Sequence, residues 1–183
     1  MAFVLANRLH KILNKIISTD QTGFIRKRFI GQNFRLIQDI IHNSKLHHNA
    51  GMILFLDFEK AFDSIEWDFI FLALERMNFG ENFINWIKTL YSNPTTSIKN
   101  NGWESRNVDI YRGIKQGCPL LALLFTISVE ILASRIKQSQ NIKGYAMRKY
   151  DKSKEIRISQ YADDTQIYLS DDKQIPKALN IIK

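Results

Sequence analysis

Apolar residues recur along the first third of the chain at spacings that distinguish helices from strands. They repeat at helical intervals over Met1–Ile17, and a second, shorter helical repeat covers Phe34–His42. Met52–Leu56 is instead a continuous apolar run that stops at an acidic residue, which is typical of a strand buried on both faces. The pattern predicts two helices followed by a buried strand, with a turn at Asp20–Gly23 between the helices.

The remaining apolar pattern predicts three more helices and two hairpins. Helical spacing covers Glu66–Met77 and Asn82–Leu90, and Pro119–Ile136 is the most hydrophobic segment and is expected to be central. A first hairpin is predicted around Asn101-Gly102, the strongest short turn signal, with strands Ser97–Asn100 and Trp103–Ile110. A second is predicted where Glu155–Ser159 and Thr165–Leu169 flank Tyr161-Ala162-Asp163-Asp164.

Helices interspersed with hairpin strands favour an α+β sandwich over a doubly wound parallel sheet. The 183 residues contain no repeat, low-complexity tract or linker, so the pattern predicts a single domain with one core.

Positive charge is concentrated at the N-terminal end. The net charge is +8, and residues 1–50 contribute +6 of it together with all four histidines. A basic end beside a near-neutral body suits a polyanionic partner, because Lys and Arg that contact phosphates release counterions. A merely solubilising surface is the alternative interpretation of the same charge.

The single cysteine, Cys118, excludes an internal disulfide framework and is typical of a reducing compartment. The longest apolar run, Cys118–Val129, is shorter than the roughly 20 residues that span a bilayer. No signal-peptide pattern is present. We therefore expect an intracellular protein without a membrane partner, in the nucleus or the cytoplasm.

Three acids occupy positions that suggest chemistry. Asp57 follows the apolar run, and Asp163 and Asp164 lie in the turn of the second predicted hairpin. If these strands share one sheet, the carboxylates meet at one edge, where their repulsion requires a compensating cation. Oxygen ligands without nearby His or Cys favour Mg²⁺, and two such ions about 3.5–4 Å apart can serve an in-line phosphoryl transfer. Asp171-Asp172, by contrast, is interpreted as a solvated turn.

Five segments together resemble the reverse transcriptases of non-LTR (LINE-type) retrotransposons. Phe55–Ser64 resembles motif A, Arg112–Leu120 resembles motif B, and Tyr161–Asp164 resembles motif C. Leu5–Leu9 and Gln21–Ile25 resemble the finger motifs of these enzymes. The five occur in the family's order and cover nearly the whole chain.

The resemblance implies a polymerase palm, an antiparallel sheet backed by helices, with partial fingers and without a thumb. Residues 1–50 would form the partial fingers and residues 51–183 the palm of one truncated reverse transcriptase domain. Relatives carry further finger and thumb segments beyond both ends of this sequence, so the resemblance implies that this chain is truncated and that a full-length parent carries the missing segments.

The resemblance also implies roles for individual residues. Asp57 and Asp163 correspond to the principal ligands of two Mg²⁺ ions, for which Mn²⁺ is a possible substitute, with Asp164 and the Phe58 carbonyl assisting. Asp63 corresponds to a residue with a structural role. Substrate-binding roles fall to Phe62, which would clash with a ribose 2′-hydroxyl, to Gln116 and Gly117 along the incoming nucleotide, and to Tyr161 near the primer end. Basic candidates for nucleic-acid contact are Arg8, Arg26, Lys27 and Arg28.

The implied reaction is RNA-directed DNA synthesis. A primer 3′-hydroxyl attacks the α-phosphorus of a dNTP on an RNA template, with two metal ions stabilising the attacking and leaving oxygens. Two alternatives remain open: a catalytically silent nucleic-acid-binding remnant of a truncated retroelement copy, and an intron maturase-type palm. The finger motif at Gln21–Ile25 argues against the maturase.

Two local departures from the family pattern predict weak points. The family usually continues motif B with Ser-Pro, which suits a helix start, whereas this chain has Leu121-Ala122. Lys27 stands where the family often has Gly, so a positive φ in that loop would strain it.

Overall fold

The computed structural model describes residues 1–114, 117–147 and 155–182. Its helices are α1 (Ala2–Ile16), α2 (Gly31–His47), α3 (Ala61–Ser64), α4 (Trp67–Arg76), α5 (Glu81–Leu90), α6 (Leu121–Gln138) and α7 (Ile175–Ile182), with a 3-10 turn at Asp172–Gln174. Its strands are β1 (Met52–Leu56), β2 (Thr95–Thr96), β3 (Lys99–Asn100), β4 (Trp103–Glu104), β5 (Val108–Asp109), β6 (Tyr145–Ala146), β7 (Glu155–Ile156), β8 (Ile158–Tyr161) and β9 (Asp164–Leu169).

A three-stranded antiparallel sheet in the order β1-β9-β8 forms the framework of the molecule. The pairing of β1 with β9 runs from Met52 opposite Leu169 to Leu56 opposite Thr165. On the other side of β9, strand β8 pairs from Ile158 opposite Ile167 to Tyr161 opposite Asp164. The long central strand therefore connects the segment before Asp57 to the second predicted hairpin.

Helices pack on both faces of this sheet, α6 and α7 on one face and α2 on the other. Leu54, Ile167 and Leu169 face the same cluster as Ala133 of α6 and Ala178 of α7. On the opposite face, Ile53 and Tyr168 pack with Ile40 of α2 and with Tyr145. The prediction that β1 is buried on both faces is wrong near the C-terminal end of the strand, where Phe55 is 64% exposed.

Helix α6 is buried along most of its length, which confirms the prediction that the most hydrophobic helix is central. Its residues Leu124 and Ile127 belong to one core cluster with residues of α1, α4 and α5: Leu5, Leu9, Ile70, Leu74 and Ile87. The N-terminal helix thus shares this core with α4, α5 and α6, while the two faces of the sheet are packed by separate clusters.

Helix α2 is longer than the pattern predicted, running over Gly31–His47 instead of Phe34–His42. Only Asn33 and Ile40 are buried on it, so most of its length carries no apolar repeat that could mark its bounds. It ends at His48, which adopts a left-handed conformation.

The first predicted hairpin is present, but its strands are short. Asn101 and Gly102 both have positive φ, as a type I′ turn requires, and they join β3 to β4. A second pair of two-residue strands, β2 and β5, continues the arm toward the core. The apolar side chains of Ile98, Trp103 and Val108 are all exposed, so the arm buries no apolar face that would support longer strands.

Candidate active site

Sheet register brings the three predicted acids to one edge of the sheet. Asp57 follows Leu56, which pairs with Thr165, and Asp164 immediately precedes Thr165. Extending the register by one residue sets Asp57 opposite Asp164, and directly opposed residues share a face of an antiparallel pair. Asp163 lies in the turn just before Asp164 and is half-buried, whereas Asp57 and Asp164 are exposed.

The turn that carries Asp163 is tight and unusual. Tyr161 pairs with Asp164, which leaves a two-residue loop of Ala162 and Asp163. Ala162 has a φ of 56°, in a region that glycine usually occupies at the first position of such loops. The backbone of Ala162 is buried against the segment that follows α1, so neighbouring structure holds a conformation that alanine alone disfavours.

Residues 58–64 form a short connection that positions Phe62. Lys60 adopts a left-handed conformation and begins α3. The Phe62 ring then lies 4.5 Å from the Phe125 ring of α6 and 6.2 Å from the Phe24 ring, measured between centroids. Phe62 is half-buried between these two rings, with one contact in the core and one in the loop before α2.

The start of the motif B segment is fastened to α3 by its backbone. The Gly113 N–H donates to the Ile65 carbonyl and the Ile114 N–H donates to the Phe62 carbonyl, each at 2.8 Å. Gly113 has a φ of 85°, and a Cβ there would lie 2.7 Å from the Asp63 carbonyl oxygen. Only glycine satisfies both conditions, so this segment approaches motif A as closely as the backbone allows.

Gln116 lies outside the described residues, and its predicted place along the incoming nucleotide stays a prediction. Gly117 has a φ of 81°, and a Cβ there would meet no atom of the described chain within 4 Å. The reason for glycine that the structure supplies is therefore its backbone conformation, while a close approach to a nucleotide remains an expectation.

The four basic residues predicted to contact nucleic acid differ in their contacts within the chain. The Arg28 guanidinium donates to the carbonyls of Ser18, Gln21 and Ile17, so it fastens the loop between α1 and α2. Arg8 lies over the rings of Phe83 and Trp86 of α5, with its Cζ 5.9 and 5.3 Å from their centroids. Arg26 and Lys27 are exposed in the loop.

Lys27 has a φ of 69°, which confirms the expected strain where the family often has glycine. The other predicted weak point is also visible. Helix α6 begins at Leu121 behind Leu120, and no side chain caps its N-terminus.

Sequence patterns assigned no individual role to two buried polar residues, Glu130 and Gln21. Burial raises the pKa of the Glu130 carboxyl on α6, while a hydrogen bond from the Ser18 hydroxyl and the nearby Lys137 lower it. Gln21 is fully buried against the turn that carries Asp163. Of the two, only Gln21 had a sequence signal, its place in the Gln21–Ile25 segment.

Helical spacing predicts core positions for Trp67, Phe69, Trp86 and Tyr91, and two of these four aromatic residues are exposed instead. Tyr91 is buried and Trp67 is partly buried, with its indole N–H donating to the Gly113 carbonyl at 2.7 Å. Phe69 and Trp86 are 40% and 43% exposed. The interpretation of Asp171-Asp172 as a solvated turn is confirmed, since both are exposed where the 3-10 turn begins.

The donor set at the acidic edge fits Mg²⁺ in its chemistry. Asp57, Asp163 and Asp164 offer carboxylate oxygens and Phe58 offers a carbonyl oxygen, all hard ligands. Over the described ranges, no three His, Cys, Asp or Glu side chains group closely enough to hold an ion by themselves. Mg²⁺ typically binds through one or two carboxylates and completes its shell with water and substrate phosphates.

Comparison with known proteins identifies the protein family to which the chain belongs. The profile of the family described as "Reverse transcriptase (RNA-dependent DNA polymerase)" matches residues 1–183. The chain therefore belongs to the reverse transcriptase family, whose members are RNA-directed DNA polymerases that use divalent metals. None of the helices in the described ranges is long and apolar enough to cross a membrane.

The sequence relatives are non-LTR retrotransposon proteins. The chain is 28% identical over 171 residues to the Transposon TX1 uncharacterized 149 kDa protein of Xenopus laevis, covering 93% of this chain and 13% of that protein. It is 30% identical over 129 residues to the Pol polyprotein of the type-2 retrotransposable element R2DM of Drosophila melanogaster, covering 70% of this chain and 12% of that protein. The chain thus spans about an eighth of the length of these relatives.

Solved structures confirm the palm-type α+β fold. The apo telomerase of Candida tropicalis, truncated from its C-terminal domain, superposes with a TM-score of 0.64 at 12% identity, over 99% of this chain and 36% of that one. The telomerase of Candida albicans gives a TM-score of 0.58 at 12% identity, over 98% of this chain and 30% of that one. At this identity the likeness concerns the fold alone.

Proposed function

We propose that this chain carries the active site of a non-LTR retrotransposon reverse transcriptase, which extends a DNA primer on an RNA template by two-metal phosphoryl transfer from dNTPs. The observation that carries the proposal is the sheet register, because it brings Asp57 beside the Asp163-Asp164 turn. An RNA template is supported by the family, whose description is that of an RNA-dependent DNA polymerase.

In this proposal the acidic edge holds two Mg²⁺ ions through Asp57 and Asp163, with Asp164 and the Phe58 carbonyl assisting. When bound, the ions would polarise the primer hydroxyl and neutralise charge on the triphosphate. The carboxylates of the chain bind and orient, and no side chain is required as a general base.

The remaining residues would shape the substrate pocket. Phe62 excludes a ribose 2′-hydroxyl, Gln116 and Gly117 lie along the incoming nucleotide, and Tyr161 contacts the primer end. The paired rings around Phe62 support its role, because a gate must keep a fixed position to discriminate by one hydroxyl group. Arg26 and Lys27 are exposed and available to bind phosphates, whereas the Arg28 donors are engaged with the backbone.

We also propose that residues 1–50 form partial fingers and residues 51–183 the palm. Because α1 shares the core of α6, these are subdivisions of one packed unit and not separately folded domains.

Primer extension on an RNA template with Mg²⁺ tests the proposed reaction. The full chain should incorporate dNTPs, and Asp163→Ala should abolish incorporation. Asp172→Ala is the matched control, because Asp172 is an exposed aspartate just past the opposite end of β9 and should leave the rate unchanged. Equal incorporation by the full chain and Asp163→Ala would exclude the enzyme, and duplex binding without incorporation would favour a silent nucleic-acid-binding remnant.

A further inference from the structure

We infer that Gln21 is a positioning residue for the proposed polymerase site, and that its side-chain amide holds the turn carrying Asp163. The Gln21 Oε1 accepts the Ala162 N–H at 3.0 Å, and the Gln21 Nε2 donates to the Ala162 carbonyl at 3.1 Å. One planar amide thus binds both polar groups of the residue that precedes Asp163. The inference rests on the proposed function, because it concerns how the acidic edge is held.

The contact is buried, and both polar atoms of the amide take part in it. Gln21 is 0% exposed, and its Oε1 also accepts the Gly23 N–H at 2.7 Å. Only a side chain with both an acceptor and a donor can make this set, so glutamate loses the donor and methionine loses both groups. Inside a dry environment these hydrogen bonds are not exchanged for bonds to water, which makes the position of the turn strongly dependent on them.

The turn needs an external support. Ala162 has a φ of 56°, which an alanine adopts only when surrounding structure imposes it. The Thr165 hydroxyl donates to the Asp163 carbonyl at a long 3.4 Å, and this contact is too weak to fix the loop. The amide of Gln21 is therefore the strong restraint on the loop backbone.

Backbone contacts fix Gln21 itself against the sheet. The Thr22 N–H donates to the Gln160 carbonyl at 2.9 Å, and the Gln160 N–H donates to the Asp20 carbonyl at 2.7 Å. A Cβ on Gly23 would lie 2.2 Å from the Ala162 nitrogen, so glycine permits this approach. The backbone around Gln21 is thus hydrogen-bonded to β8, and the Gln21 side chain in turn holds Ala162 in place.

Loss of the Gln21 hydrogen bonds is expected to weaken metal binding more than folding. A turn released from Gln21 would let Asp163 move relative to Asp57, and residues that orient metal ligands typically contribute 10–100-fold in affinity or activity. We expect Gln21→Met to raise the Mn²⁺ concentration for half-saturation by about 10-fold and to lower kcat by a similar factor. The KM for dNTP should change less, because the described hydrogen bonds of the Gln21 side chain go to Ala162 and Gly23 and not to Phe62, Gly113 or Ile114.

The control variant is Gln174→Met. Gln174 is a second buried glutamine whose amide accepts a backbone N–H, that of Lys143 at 3.2 Å, beyond the opposite end of β9. Both variants should lose thermal stability, but only Gln21→Met should affect the metal. Mn²⁺ binding is measured by electron paramagnetic resonance on the full chain with a primer–template duplex and a dNTP analogue that cannot be incorporated, alongside kcat and KM.

Asp163→Ala separates failure of the inference from failure of the proposed function. If the unmodified chain binds Mn²⁺ no better than Asp163→Ala, the acidic edge is not a metal site and the proposed function fails with the inference. If it binds better, an unchanged Mn²⁺ affinity in folded Gln21→Met, or an equal loss in Gln174→Met, overturns the positioning role alone.

Discussion

At the residue scale, the ring of Phe62 is restrained on two sides. Phe125 holds it from the core of α6 and Phe24 holds it from the loop before α2. A half-buried ring in such a position cannot swing away without losing aromatic contacts, each contributing about 0.5–1.5 kcal/mol beyond burial. This rigidity is what a steric gate against a hydroxyl group requires.

We predict that Phe62→Val admits ribonucleotides, because a smaller side chain leaves room for the 2′-hydroxyl. Discrimination between dNTP and rNTP, measured as the ratio of kcat/KM values, should fall about 10-fold or more. Phe55→Val is the control, since the Phe55 side chain is 64% exposed on β1 and its truncation should leave the ratio unchanged. An unaltered ratio in Phe62→Val would remove Phe62 from its assigned role.

A second prediction at this scale concerns Glu130. Burial raises the pKa of its carboxyl in the folded chain above the ordinary value, so the folded state binds this proton more tightly than the unfolded state. Its contribution to stability is full below the ordinary pKa and is lost as pH rises through the raised pKa. Glu130→Gln should thus gain stability over the unmodified chain as pH rises from 4 to 8.

Urea unfolding across that pH range measures the difference. Ser18→Ala provides the second arm, because it removes the hydroxyl that donates to the Glu130 carboxylate at 3.1 Å and lowers its pKa. That variant should lose more stability at pH 8 than at pH 4. A pH-independent difference between Glu130→Gln and the unmodified chain would contradict the assignment.

At the scale of elements, the loop between α1 and α2 combines a strained residue with strong anchors. Lys27 has a φ of 69°, which costs an L-residue about 1–2 kcal/mol, while the adjacent Arg28 donates to three carbonyls. The loop is held in this conformation by its neighbours although one of its residues disfavours it.

We predict that Lys27→Gly stabilises the chain by about 0.5–1 kcal/mol, since glycine removes the strain but adds entropy to the unfolded state. Lys11→Gly, an exposed site in the interior of α1, should instead cost about 1 kcal/mol. Thermal or urea unfolding of the two variants checks the contrast, and a loss of stability in Lys27→Gly would show that the lysine makes a compensating contact.

Sequence patterns predicted most of the elements that bury an apolar face, with the exception of α7, whose Ile175, Ala178 and Ile182 pack in the cluster under the sheet. Strand β1 was predicted residue for residue, and α1, α4, α5 and α6 lie within two residues of their predicted bounds. The short helix α3, the C-terminal α7 and the strand β6 had no prediction. The polar ends of α2 were missed because their partners, such as Thr22 bound to Asn33, come from elsewhere in the chain.

The same distinction applies to the site. Spacing predicted that Asp57 and the Asp163-Asp164 turn converge, because a two-residue hairpin and one strand register suffice to place them. The support from Gln21 was not predictable by spacing, since it joins residues 141 positions apart. Long-range hydrogen bonds of buried amides are visible only after folding.

At the scale of the whole molecule, positive charge lies beside the acidic edge in the same packed unit. Residues 1–50 carry +6 of the net +8, and the loop with Arg26 and Lys27 continues from the segment paired with β8. This arrangement suits a polyanion whose reacting end is brought to carboxylates that hold Mg²⁺, because cations nearby offset the repulsion between phosphates and acids.

We predict that binding to a primer–template duplex weakens steeply with salt, since each phosphate contact contributes a slope of about 0.9 in a plot of log affinity against log salt. Replacing Arg26 and Lys27 by glutamine should reduce that slope by about 2, measured by fluorescence anisotropy from low to physiological salt. Lys173→Gln, an exposed cation in the 3-10 turn past the far end of β9, serves as the control and should leave the slope unchanged. Arg28→Gln should chiefly lower stability, because it leaves three carbonyls without their donor. A flat salt response of the unmodified chain would show that its basic segment does not touch phosphate, and the acidic edge would then lack the electrostatic partner that the proposed reaction requires.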